Sequence, residues 1–138
     1  MENKKLLAIL RAFKELFEAL PSEAPDAEYR AAEQQLHENY AVILRSLLVT
    51  QHFAFCHDPD GECVSIFSTE TQRDTFIRVM DEMYKEMTAE LDVDPNETIC
   101  KPMTFAEFIV YAKGTECDLE NYSLEEDGAI EFERNNRQ

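Results

Sequence analysis

The spacing of apolar residues changes period near residue 50, and that change restricts the chain to an architecture that mixes helices with a sheet. Before it, Leu6, Leu10, Phe13, Phe17 and Leu20 step by 4, 3, 4, 3, the stripe of an amphipathic helix that Pro21 ends. Tyr29, Ala32, Leu36, Tyr40, Ile43 and Leu47 repeat the pattern in a second helix that starts near Pro25-Asp26. Both stripes read as core-packing faces. A coiled-coil partner helix is the alternative, and three heptads are too few to argue for one alone.

After residue 50 the pattern becomes that of strands. His52 to His57 and Glu62 to Phe67 flank Asp58-Pro59-Asp60-Gly61, which suits a type I turn and predicts a β-hairpin. Pairing outward from the turn sets Cys56 opposite Cys63, Phe55 opposite Val64 and Phe53 opposite Ile66, so one face is uniformly apolar. Thr69 and Gln72 form a capping box ahead of a third helix with Phe76, Met80, Met83 and Met87 on its stripe, and residues 88–97 read as an acidic loop. Thr98 to Met103 predicts an edge strand, because Pro102 has no N–H to give a central ladder. Thr104 and Glu107 make a second capping box, for a helix that Gly114 ends. Leu119 to Leu124 and Ala129 to Arg134 flank Glu125-Glu126-Asp127-Gly128 as a second hairpin.

The order α-α-β-β-α-β-α-β-β predicts an α+β fold: two N-terminal helices, then a mixed sheet of about five strands with two further helices. A chain of 138 residues that is 44% hydrophobic suits a single domain over residues 1–134, with residues 135–138 as a frayed tail. Charged residues from Arg11 onward interrupt the apolar start, no small-residue cleavage site follows, and no stretch approaches a membrane span. A soluble cytoplasmic protein with reduced cysteines is the expectation.

Several of these segments carry a family resemblance. Val64-Ser65-Ile66-Phe67-Ser68-Thr69-Glu70, with Phe76 beyond it, resembles the strand-to-helix signature of the N-terminal domain of SseB-like (enhanced serine sensitivity) proteins. Pro102 to Phe108 is similar to that family's approach to its second core helix, and Asp118 to Tyr122 resembles its Asn-Pro strand, with Glu120 and Tyr122 as departures. The resemblance covers roughly residues 27–134. It implies a small bacterial α+β module without an established activity, and it supplies no catalytic residue. If Glu120 and Tyr122 face solvent, a family surface around Asn121 is in doubt here.

No catalytic or metal signature stands out. Cys56, His57, Asp58 and Cys63 crowd one hairpin end, but Cys56 and His57 are adjacent on a strand and point to opposite faces, so they do not converge on a zinc ion without a bulge. Cys56 and Cys63 alone could pair for a metal or as a cross-strand disulfide; as small buried hydrophobes they need no such role. Asp58, Asp60 and Glu62 around Gly61, and Asp92, Asp94 and Glu97, do not follow an EF-hand loop and read as solvated turns. There is no nucleophile elbow, phosphate-binding loop or zinc-protease motif, and with three Gly a phosphate-cradling loop has little to build from. No enzyme activity and no cofactor are expected.

What stands out is charge. Residues 1–50 carry 6 Lys/Arg against 8 Asp/Glu, and residues 51–138 carry 7 against 21. Such a field repels phosphate backbones and anionic membranes and attracts basic surfaces. Between Lys113 and Arg134 lie eight acids and no base: Glu116, Asp118, Glu120, Glu125, Glu126, Asp127, Glu131 and Glu133. Read as hairpin rows, Glu120, Glu131 and Glu133 share strand parity with Tyr122 between them. The expected function is therefore a non-catalytic interaction module that presents this acidic, Tyr-containing sheet face to a basic protein, with no direct nucleic-acid or membrane binding. The alternatives are a nucleic-acid mimic that inhibits a DNA-binding enzyme, and a thiol or metal enzyme on the 52–67 hairpin.

Overall fold

The computed structural model describes residues 1–18, 27–92, 94 and 97–134. The helix boundaries expected at Leu20-Pro21 and Pro25-Asp26, the turn at Pro95-Asn96 and the tail at 135–138 lie outside the described residues, as do the side chains of Phe17 and Tyr29. In chain order the elements are α1 (Asn3–Glu18), α2 (Ala27–Leu48), β1 (His52–Asp58), β2 (Gly61–Phe67), α3 (Glu70–Leu91), β3 (Ile99–Met103), α4 (Phe105–Tyr111), β4 (Tyr122–Leu124) and β5 (Ile130–Phe132), with a 3-10 turn at Leu119–Asn121 ahead of β4. This is the α+β order expected. The sheet, read in advance as mixed, is antiparallel at every pairing, in the order β3-β1-β2-β5-β4.

Strand alternation sorts side chains into two layers. One face of the sheet carries Phe53, Val64, Ile66, Ile130 and Phe132, fully or almost fully buried, and it packs against Leu6, Leu7 and Leu10 of α1, Leu44 and Leu48 of α2 and Phe108 of α4. The opposite face carries Ala54, Cys56, Phe67 and Cys100 against Phe76, Ile77, Met80, Tyr84 and Met87 of α3. The helices thus sandwich the sheet. The hairpin register is the one expected: Cys56 pairs with Cys63, Phe55 with Val64 and Phe53 with Ile66. Asp58 and Gly61 close the loop, and the Asp60 N–H donates to Asp58 Oδ1 at 2.9 Å. Pro102 sits in an edge strand, since β3 pairs with β1 alone.

Other expectations are corrected. On α3 the buried aromatic is Tyr84, while Met83 is about half exposed, and the helix runs to Leu91 through the start of the supposed loop. On α2 the fully buried positions are Leu44 and Leu48, beside rather than within the expected stripe. Helix α4 is capped at its end by Ala112, ahead of Gly114, whose φ of +88° places it in the left-handed region. Its start is as expected. The Glu107 N–H donates to Thr104 Oγ1 at 3.1 Å and the Thr104 N–H to Glu107 Oε1 at 2.9 Å, a reciprocal capping box. Thr104→Ala is expected to lower stability by about 1 kcal/mol, read as a drop in the urea midpoint at unchanged slope.

A buried polar staple fixes the N-terminus to the sheet. Asn3, 4% exposed, donates through Nδ2 to the Ile66 carbonyl at 2.9 Å and to the Gly128 carbonyl at 2.8 Å. Gln51 Nε2 donates to Asn3 Oδ1 at 2.8 Å and to the Met1 carbonyl at 2.9 Å. Four hydrogen bonds therefore tie α1 to β2, to the β4–β5 turn and to the residues after α2, and they satisfy two buried amides that would otherwise oppose folding.

Candidate functional site

Helix α3 rests over β3, β1 and β2, which leaves the same face of the sheet open toward β5 and β4. The opening is an acidic trough of about 530 Å³ that continues into a second hollow of about 250 Å³. Its floor is set by strand alternation. Ser65 on β2 pairs with Glu131 on β5, and Glu131 with Ser123 on β4, so Glu131 stands at the centre with Cys63 and Glu133 beside it. Phe76, Met80 and Tyr84 of α3 form one wall. The two turns form the ends: Glu125, Glu126 and Asp127 at one, Asp58 and Asp60 at the other.

The second turn is tightly built. Gly128 N–H donates to the Glu125 carbonyl at 3.0 Å, Glu125 N–H to the Ala129 carbonyl at 2.8 Å, and Ala129 N–H to Asp127 Oδ1 at 2.9 Å. Gly128 takes φ +88° there, as a three-residue hairpin loop with a bulge requires. This geometry holds three consecutive carboxylates at the rim. None of the residues lining either hollow is a lysine, arginine or histidine.

Glu131 responds to this environment. Partial burial, then the neighbouring Glu125 and Glu133 carboxyls, push its pKa up to about 7, against the opposing effect of a hydrogen bond from the Cys63 thiol. Tyr84 is 5% exposed, and its buried hydroxyl has no hydrogen-bond partner among the described residues; burial, then nearby thiols and Asp58, raise its pKa. Burial and the carboxylate of Glu116 likewise push up the thiol of Cys117, which lies away from the trough beside the Arg45 to Glu116 ion pair of 3.2 Å.

Of the four residues expected to form one row, the structure brings together Glu131 and Glu133 and separates Glu120 and Tyr122 from them. The expected row is corrected on two counts: Leu119–Asn121 is a 3-10 turn, which takes Glu120 out of the strand, and the hairpin register pairs Tyr122 with Phe132, so its side chain shares the face under α1, α2 and α4 and not that of Glu131. Tyr122 is 5% exposed, packs 4.8 Å from the Phe132 ring centroid and donates its hydroxyl to the Glu116 carbonyl at 2.6 Å. It is a core anchor, not a surface contact. Glu120 is exposed on that other side, where its charge acts on Tyr40 of α2. Asn121 is 1% exposed and presents no surface. Sequence reasoning missed Glu125, Glu126, Asp127, Asp58 and Asp60 as members of one site. Each acidic run was visible by itself, and the pairing of β2 with β5 that joins them has no local signature.

Among the described residues no group of three or more His, Cys, Asp or Glu side chains is placed to hold a metal ion, and no helix is long and apolar enough to cross a membrane. Comparison with protein-family models, with curated proteins and with solved structures finds no match.

Proposed function

We propose that this protein is a non-catalytic interaction module whose acidic trough receives lysine or arginine side chains from a basic protein partner. The observation that carries the reading is Glu131, a partly buried carboxyl held among other carboxyls with no cationic residue lining the hollow. A site built this way is short of one positive charge, and an incoming ammonium or guanidinium group would supply it together with hydrogen bonds. The buried, unpartnered Tyr84 hydroxyl adds a neutral acceptor in the same wall. The carboxylates gather in a concavity between two turns, which supports reception of side chains over imitation of a long phosphate row.

The test is titration of a defined Lys/Arg-rich peptide, at low and at physiological salt. A variant with Glu125, Glu131 and Glu133 changed to Gln is expected to bind about 3- to 10-fold more weakly at low salt, with the difference shrinking as salt is raised. A matched variant with Glu38, Glu82 and Glu90 changed to Gln, all exposed on α2 and α3, is expected to bind like the wild type. Equal losses in the two variants would reduce the effect to net charge and overturn the site.

A further inference from the structure

Three of the four thiols form a single row across the sheet. Cys56 on β1 pairs directly with Cys63 on β2 and with Cys100 on β3. The Sγ atoms of Cys56 and Cys100 lie 3.1 Å apart, and Cys63 stands directly across from Cys56 on the other neighbouring strand. Residues directly opposed in an antiparallel ladder have Cα atoms about 4.5–5.5 Å apart, inside the range that a disulfide spans. The central sulfur therefore has two neighbours able to bond with it and room for one bond at a time. That arrangement is suited to thiol–disulfide exchange, in which a thiolate attacks one sulfur of a disulfide and expels the other.

Access to the row is graded. Cys100 and Cys56 are buried under Met80, Tyr84 and Met87, whereas Cys63 is half-buried and lines both hollows of the trough. Glu131, which lines the same two hollows, stands near it as an acceptor for its proton. The surrounding field selects what can approach, since the lining is rich in carboxylates and holds no cation. An acidic cleft concentrates cations and repels anions.

We propose that Cys63, Cys56 and Cys100 form a thiol–disulfide exchange relay, opened at Cys63 by a small cationic disulfide from the acidic trough and closed as a buried Cys56–Cys100 disulfide. Deprotonated Cys63 attacks the incoming disulfide, forms a mixed disulfide and expels one thiolate. The Cys56 thiol then attacks the Cys63 sulfur, its proton passing to the departing sulfur, which leaves as the second free thiol, and a Cys56–Cys63 bond remains. Deprotonated Cys100 attacks the Cys56 sulfur and returns Cys63 to its thiolate, which is reprotonated. In sum Cys56 and Cys100 lose two electrons and two protons, and the incoming disulfide becomes two free thiols. The relay shares the trough with the partner-binding reading but needs no partner, so each can fail without the other.

The experiment treats the reduced full chain at pH 8 and low salt with cystamine, a dicationic disulfide, or with oxidised glutathione, which is anionic. Free thiols are counted over time and linked peptides are identified by mass spectrometry without reduction. Cystamine is expected to consume two of the four thiols and to link the Cys56 and Cys100 peptides, at a rate at least about 10-fold above that of oxidised glutathione, with the gap narrowing as salt is added. Cys56→Ala should trap cystamine's half on Cys63, Cys100→Ala should stop at the Cys56–Cys63 link, and Cys117→Ser should behave as wild type. Cys100→Ser serves as the second variant if the alanine form does not fold. Absence of a Cys56–Cys100 link, linkage through Cys117, or equal rates with the two reagents at low salt would overturn the proposal.

Discussion

Replacing Phe108 with alanine is expected to lower stability by about 3–5 kcal/mol, the largest effect of any single truncation considered for this fold. Phe108 is fully buried on α4, stacks on Phe53 with ring centroids 4.7 Å apart and meets Phe132 edge-on at 5.2 Å. It thus joins the α4 layer to the first and last strands of the antiparallel sheet. Truncation removes both ring contacts and leaves a cavity that rigid neighbours on two strands do not collapse into. For a domain of this size the loss corresponds to roughly 10–15 °C in melting temperature. Val110, two residues along the same helix and 75% exposed, provides the control, and Val110→Ala should stay within about 0.5 kcal/mol of wild type. Similar losses at Phe108 and Val110, in a denaturant titration, would mean that α4 does not seat on the sheet through this face.

The features that could be read in advance are those with local chemistry. The Asp58 to Gly61 turn dictates the pairing of Cys56 with Cys63, and the Thr104 to Glu107 box marks the start of α4, because each depends on residues within a few positions of one another. Pro102 could be placed at an edge for the same reason. Long-range pairing left no such trace. Nothing local places Cys100 beside Cys56, or Glu131 beside Ser65, and the thiol row and the trough both arise from those pairings. The second hairpin shows how small an error matters: its register sets Tyr122 opposite Phe132 and not in a row with the glutamates, and Tyr122 passes from a supposed surface to the core. On α3 the apolar stripe admitted either Met83 or Tyr84, and only the direction in which the helix crosses the sheet selects Tyr84.

The same local crowding makes stability depend on pH through Glu131. Its folded-state pKa of about 7 stands above the ordinary 4.5, so between those values the native protein keeps a proton that the unfolded chain has released. Stability must therefore fall as pH rises from about 4.5 to 7 and level off above, the reverse of a carboxylate held by a cation. With partial exposure and solvent screening allowed for, the loss attributable to this group is about 2 kcal/mol. Glu131→Gln keeps the shape and removes the titration, so at pH 8 it should be more stable than wild type by about 1–2 kcal/mol, while at pH 4.5 the two should coincide. Urea midpoints at the two pH values measure this directly, and parallel behaviour of the two proteins would rule it out. The sign carries over to binding. A lysine or arginine seated in the trough favours the ionised carboxyl, so complex formation should expel a proton near neutrality and tighten from pH 6 to pH 8. Glu131→Gln should abolish that pH dependence even where some affinity remains, since Glu125 and Glu133 would still attract the cation.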